Sequence, residues 1–207
     1  VVSSLTHLVS TLLEVNVSDY PNWFATGAQP NFATYLIQDA GLPNLKYLQL
    51  GAFTGDASVW LMKNILTDPS SHLFDVDTWQ GSDEVAHHSM DFDDVYSVYK
   101  DKVKDLSITS VVMRTDDYLI RVREVFTDSF DFIYIDADHT TVGVLMDAEL
   151  SWPLLKSGGI MAFDDLTWGA DLPPSQSPKA GILLFAERHK DEFDLIVANT
   201  QYWIKKK

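Results

Sequence analysis

Residues 131–165 read DFIYIDADHTTVGVLMDAELSWPLLKSGGIMAFDD, and the order of patterns in this stretch decides the fold. An apolar run, Phe132 to Ile135, ends abruptly in Asp136, Ala137, Asp138 and His139. A segment of helical length follows, closed by Pro153 and expected to turn at Gly158-Gly159 before a second apolar run ends in Asp164-Asp165. Strand, helix and strand in this order form a parallel pair with its crossover packed on one face.

The same rhythm extends in both directions. KYLQLG, HLFDVD, ITSVVMR, DFIYID, GGIMAFDD, DLIVAN and QYWIKK read as seven strands. Between the first two lies ASVWLMKNIL, with Val59, Met62 and Leu66 expected on one face. No helix separates the last two, which only Asn199-Thr200 divides, so they should pair as an antiparallel hairpin. The expected fold is α/β: a Rossmann-like, doubly wound, mostly parallel seven-stranded sheet with a C-terminal antiparallel hairpin. Ahead of it, SSLTHLVSTLLEV (3–15) and QPNFATYLIQDAG (29–41) carry helical spacing, the second closed by Gly41. Residues 1–45 are therefore expected to form a helical cap or a dimer contact, and 46–207 one ligand-binding domain.

Composition narrows the function. The 207 residues carry a net charge of −15, and the only basic cluster is Lys205 to Lys207. A nucleic-acid partner is disfavoured because phosphate contacts need a positive face. The apolar fraction of 46% supports a full core, while no apolar run reaches the roughly 20 residues of a membrane span. Cysteine is absent, which excludes disulfides, thiolate metal sites and cysteine nucleophiles. That absence, with no visible secretion signal, fits a cytoplasmic protein.

In open α/β sheets ligands bind at the carboxyl ends of the strands, where the acids of this sequence fall. KYLQLGAFTGDAS sets Gly51 and Gly55 between a strand and a helix, where a ligand can approach the main chain closely. The spacing lacks the three-glycine dinucleotide fingerprint, which argues against NAD or FAD. Asp77, at the end of the second strand, is placed to accept from ribose hydroxyls. Thr115-Asp116-Asp117, after the third, can accept from an exocyclic adenine amine. An acid-lined nucleoside site of this kind repels polyphosphate and suits a cationic nucleoside such as S-adenosylmethionine.

Taken in order, YLQLGAFTGDASVW, DVDTWQGSDE and the 131–168 stretch resemble the motifs of class I S-adenosylmethionine-dependent methyltransferases, from about Lys46 to the C-terminus. The resemblance implies cofactor contacts from Gln49, Gly51, Ala52, Phe53, Gly55, Ser58, Asp77, Thr78, Trp79, Asp116, Asp117, Asp136 and Asp138. Gln49 stands where relatives usually carry Glu or Asp, and Ala57 where many have Ser, which weakens the expected grip on the methionine portion. DFIYIDADH and FDDLTW further resemble metal-dependent O-methyltransferases of small molecules and sugars. That likeness implies Asp136, Asp164 and Asp165 as ligands of Mg²⁺, or of Mn²⁺ or Ca²⁺. It also implies His139 as the general base, with Asp136 sharing in catalysis. Three like charges on two neighbouring strand ends independently call for a cation or a proton. His87, His88, Trp79 and Trp168 are candidates to line the pocket of a small-molecule or sugar acceptor. Two other readings remain open: a metal-independent methyltransferase with His139 alone as base, and a non-catalytic cofactor-binding module.

Overall fold

The computed structural model describes residues 20–82 and 85–207; the helix expected over 3–15 lies outside them. One seven-stranded sheet carries the fold. Its strands are β1 (Lys46–Leu50), β2 (His72–Asp77), β3 (Ile108–Val112), β4 (Phe130–Ile135), β5 (Leu155–Phe163), β6 (Phe193–Ala198) and β7 (Tyr202–Lys206). Their spatial order is β3-β2-β1-β4-β5-β7-β6. β1 to β5 run parallel, and β7 lies antiparallel between β5 and β6. The expected architecture and its terminal hairpin are both present.

β4 shows why these residues make a central strand. Side chains alternate across a pleated sheet, so a strand covered on both faces must be apolar at every position. Ile133 and Ile135 join one core cluster with Leu48, Met161 and Phe163. Phe132 and Tyr134 join the opposite cluster with Tyr47, Trp203 and Phe32. All four β4 residues are at most 2% exposed, and burying each stabilises the fold by roughly 1.5–3 kcal/mol.

The helices are α1 (Trp23–Thr26), α2 (Gln29–Tyr35), α3 (Asp56–Asn64), α4 (Phe92–Val103), α5 (Thr115–Val122), α6 (Thr141–Ser151) and α7 (Pro178–Arg188). Side-chain caps fix two of the starts. Asp91 accepts from the N–H groups of Asp93 and Asp94 before α4, and the Thr140 hydroxyl accepts from Gly143 N–H before α6. The segment expected as one helix over 29–41 is α2 followed by a 3-10 turn, Ile37–Asp39.

Two local expectations are corrected. The helical face that α3 buries is Ala57, Ser58 and Leu61; Val59 and Met62 are half-buried, and Leu66, though buried, lies beyond the helix end and so shares no helical face with them. The small side chains Ala57 and Ser58 are buried in its first turn, with Ser58 beside Asp75 of β2. Gly158-Gly159 is not a turn ahead of the strand but a bulge within β5. Phe130 pairs with Leu155 and Phe132 with Ile160, so the intervening residues loop out, with Gly158 at φ +82°. Among the described residues no helix is long and apolar enough to cross a membrane.

Candidate functional site

Because β1, β2 and β4 are parallel and in register, Leu50, Val76 and Ile135 end at one edge of the sheet. A cleft of about 1020 Å³ opens there, large enough for a cofactor and an acceptor together. Its floor is the turn after β1. Gly51 takes φ +87° and donates its N–H to the Val76 carbonyl at 2.9 Å, while Asp136 N–H reaches the Leu50 carbonyl at 2.8 Å.

Asp77 organises this floor. Its Oδ2 accepts from Ala52 N–H at 2.8 Å and Phe53 N–H at 3.0 Å, and its Oδ1 accepts from Trp79 N–H at 2.7 Å. The Trp79 indole in turn donates to the Phe53 carbonyl at 2.8 Å and packs on Tyr96 and Tyr99, so it is part of the floor more than a mobile wall. Phe53 stacks on Trp23, with ring centroids 4.8 Å apart, and His87 faces both rings. Thus α1 contributes to the cleft through Trp23 and Phe24.

Among the residues anticipated for cofactor contact, Gln49, Gly51, Ala52, Phe53, Asp77, Thr78, Trp79, Asp116, Asp136 and Asp138 line the cleft. Gly55, Ser58 and Asp117 do not. Gly55, at φ +80°, sits against the Tyr99 ring. Ser58 is fully buried behind the turn, and Asp117 is exposed. Asp116 is held by Arg114 through two bonds of 3.1 and 3.0 Å, and this partner keeps its carboxyl below the usual range. His87 and Trp168 also line the cleft, whereas His88 does not.

At the far edge, the ends of β4 and β5 bring acids together. The His139 Nε2 lies 3.0 Å from Asp165 Oδ2 and 3.5 Å from Asp136 Oδ1. Ligand atoms of these three residues all fall within 4.8 Å of one another. Asp165 takes a left-handed φ of +59°, which turns its carboxylate towards the histidine. Asp164 is occupied differently. Its Oδ2 accepts from the Tyr134 hydroxyl at 2.5 Å and its Oδ1 from Gln201 Nε2 at 3.0 Å. Burial, followed by the Asp164 charge, pushes the Asp136 carboxyl well above the ordinary range, with His139 opposing the rise. Burial and then Asp165 raise Asp164 in the same direction. Trp168 covers His139, with ring centroids 5.0 Å apart.

Reading the sequence did not anticipate Trp23, Phe24, Arg114 or Asp147 in the lining, nor Tyr134 and Gln201 as partners of Asp164. For Asp147 the signal was an acid that follows the apolar run Val144-Leu145-Met146 on the helix; for the others no local signal existed.

The family model described as a methyltransferase domain matches residues 48–166. No curated protein matches the chain in sequence. Among solved structures, the MycE methyltransferase of the mycinamycin biosynthetic pathway, in complex with Mg and SAH, is similar over 89% of this chain at 15% identity and a TM-score of 0.61. This chain spans 49% of MycE, about half its length. A putative rRNA-methylase from Clostridium thermocellum is similar over 87% of this chain and 96% of its own, at 13% identity and a TM-score of 0.63. An O-methyltransferase from Bacillus cereus, in complex with SAH, is similar over 98% of this chain and 97% of its own, at 14% identity and a TM-score of 0.57.

Proposed function

Because the chain belongs to the methyltransferase domain family, as a class I S-adenosylmethionine-dependent methyltransferase, we propose that it methylates an oxygen of a hydroxylated small molecule or sugar beside a divalent cation. The observation that carries this reading is the convergence of Asp136, His139 and Asp165 at the edge of the cofactor cleft.

The residues fit both groups. Gln49 is 2% exposed and lines the cleft, and its Oε1 has no hydrogen-bond partner among the described residues. An unsatisfied buried acceptor on β1 suits the ammonium of the cofactor's methionine portion. At the other edge, hard oxygen donors with one imidazole and no sulfur suit Mg²⁺ or Mn²⁺. Asp136 and Asp165 would hold the ion, with Asp164 behind them fixed by Tyr134 and Gln201. A bound divalent ion supplies Lewis acidity, which lowers the pKa of an acceptor hydroxyl. The complexes of MycE with Mg and SAH, and of the Bacillus cereus enzyme with SAH, support the same assignment.

The His139 imidazole takes the proton as the acceptor oxygen attacks the sulfonium methyl and the thioether departs. The Asp165 carboxylate, 3.0 Å from Nε2, orients the ring from that side and stabilises its protonated form. A small acceptor is favoured over RNA because the net charge is −15 and, among the described residues, Arg114 is the only Arg or Lys in the cleft lining.

Titrating S-adenosylhomocysteine with and without Mg²⁺, and assaying methyl transfer to a panel of catechols and sugars, tests the scheme. Full turnover in excess EDTA removes the ion, and an active His139→Ala removes the base. Binding without turnover on any acceptor favours a cofactor-binding module.

A further inference from the structure

Asp147 lies on α6, faces the cleft and is only 2% exposed. Its Oδ1 accepts from the Thr115 hydroxyl at 2.7 Å, while its Oδ2 has no hydrogen-bond partner among the described residues. A buried acceptor left unmade costs roughly 1–3 kcal/mol. Among the described residues no cation bonds to it: the Arg114 charge acts on it from a distance, but the guanidinium makes its hydrogen bonds to Asp116. The surrounding charges include Asp138 and Asp116, which make the spot more hostile to an unpaired carboxylate. A donor delivered by a ligand resolves all of this.

The order of strand ends says which donor. Along the row β1, β2, β3, the unsatisfied Gln49 stands at the first, Asp77 at the second, and Thr115, which holds Asp147, just after the third. A nucleoside amino acid laid along that row sets its amino acid at Gln49, its ribose near Asp77 and its base beside Asp147. Other acids on this side are engaged. Asp116 has its bidentate arginine, and Asp138 Oδ1 accepts from Thr140 N–H at 2.8 Å.

We propose that Asp147 recognises the exocyclic amine of the cofactor's adenine, accepting its N–H at Oδ2; this rests on the S-adenosylmethionine reading above. The contact gives the site its preference for adenosine over a 6-oxo purine nucleoside, since an oxygen facing Oδ2 would set two acceptors against each other. Burial pushes the Asp147 carboxyl up to about 7 against the Thr115 hydrogen bond; an amine donor relieves that penalty, and the contact is tested at about pH 8.5, where Oδ2 is an acceptor.

The test is calorimetric binding of S-adenosylhomocysteine and S-inosylhomocysteine to the full chain. Wild type is expected to bind the adenosine compound at least tenfold more tightly. In Asp147→Asn, whose amide can turn its NH₂ towards a 6-oxo group, that ratio is expected to fall at least tenfold or to invert. An unchanged ratio in the variant, or equal affinities in wild type, overturns the proposal and leaves the cofactor reading standing. Should the variant not fold, an N6,N6-dimethyl analogue probes the contact on wild type: it is expected to bind at least tenfold more weakly, and equal binding overturns the proposal. Wild type that binds none of the three compounds overturns the cofactor reading and this inference with it.

Discussion

Gly51 and the carbonyl of Asp136 are packed so closely that a β-carbon on Gly51 would overlap the Asp136 oxygen. This contact joins the glycine turn to the acidic strand end, so the floor of the cleft and its acidic edge are packed against each other. Gly51 also sits at φ +87°, where an L side chain is strained. Gly51→Ala is therefore expected to lower stability by at least about 2 kcal/mol and to abolish S-adenosylhomocysteine binding. Denaturant unfolding and calorimetry check both, and a variant of wild-type stability would show that the turn yields easily.

Asp77 supports the turn from the other side. One carboxylate receives N–H groups from Ala52, Phe53 and Trp79, and hydrogen bonds to a charged group are each worth about 1.5–3 kcal/mol. Asp77→Asn keeps a single acceptor oxygen, so it is expected to loosen the floor and weaken S-adenosylhomocysteine binding by tenfold or more. Unchanged affinity would mean that the carboxylate serves neither the turn nor a ribose.

Much of this was legible in the sequence, because parallel strands and their acid ends announce themselves by period and position. Asp136, His139 and Asp165 converge as two adjacent strand ends require. Asp164 and Asp165 were indistinguishable there. They are neighbours whose side chains diverge, one to Tyr134 and Gln201, the other to His139, and only the backbone turn at Asp165 decides which is which. Likewise Asp116 lines the cleft as its spacing suggested, but nothing in the sequence showed that Arg114, two residues earlier, pairs with it. The buried face of α3 includes Ala57 and Ser58, small residues that apolar periodicity does not mark.

Asp75 gives the fold a pH dependence of definite sign. It is 0% exposed, its Oδ2 accepts from the Tyr99 hydroxyl at 2.8 Å, and burial raises its carboxyl to about 7 from an ordinary 3.8. The folded state thus holds this proton more tightly than the unfolded chain. Its stability contribution is full below about pH 4 and is lost as pH rises through 7, by up to about 4 kcal/mol. Asp75→Asn keeps an acceptor for Tyr99 and cannot ionise. It is expected to be more stable than wild type at pH 8, with the gain vanishing near pH 4. Urea midpoints from pH 4 to 8 measure this, and parallel curves for the two proteins would refute it.

Gln201 is the hinge of a buried polar chain that no local pattern reveals, since its partner Asn31 is 170 residues away. At 0% exposure its Oε1 accepts from Asn31 Nδ2 at 2.7 Å and Trp203 Nε1 at 2.9 Å, while its Nε2 donates to Asp164. The chain ties α2 and the terminal hairpin to the acidic edge. Gln201→Leu leaves two donors and a carboxylate short of partners, so a loss of about 3 kcal/mol or more is expected. Asn31→Ala removes only one arm, and a double-mutant cycle should return a coupling of about 1 kcal/mol between the two positions. Strictly additive losses would mean that Asn31 and Gln201 stabilise the fold independently and that α2 is not coupled to Asp164 through them.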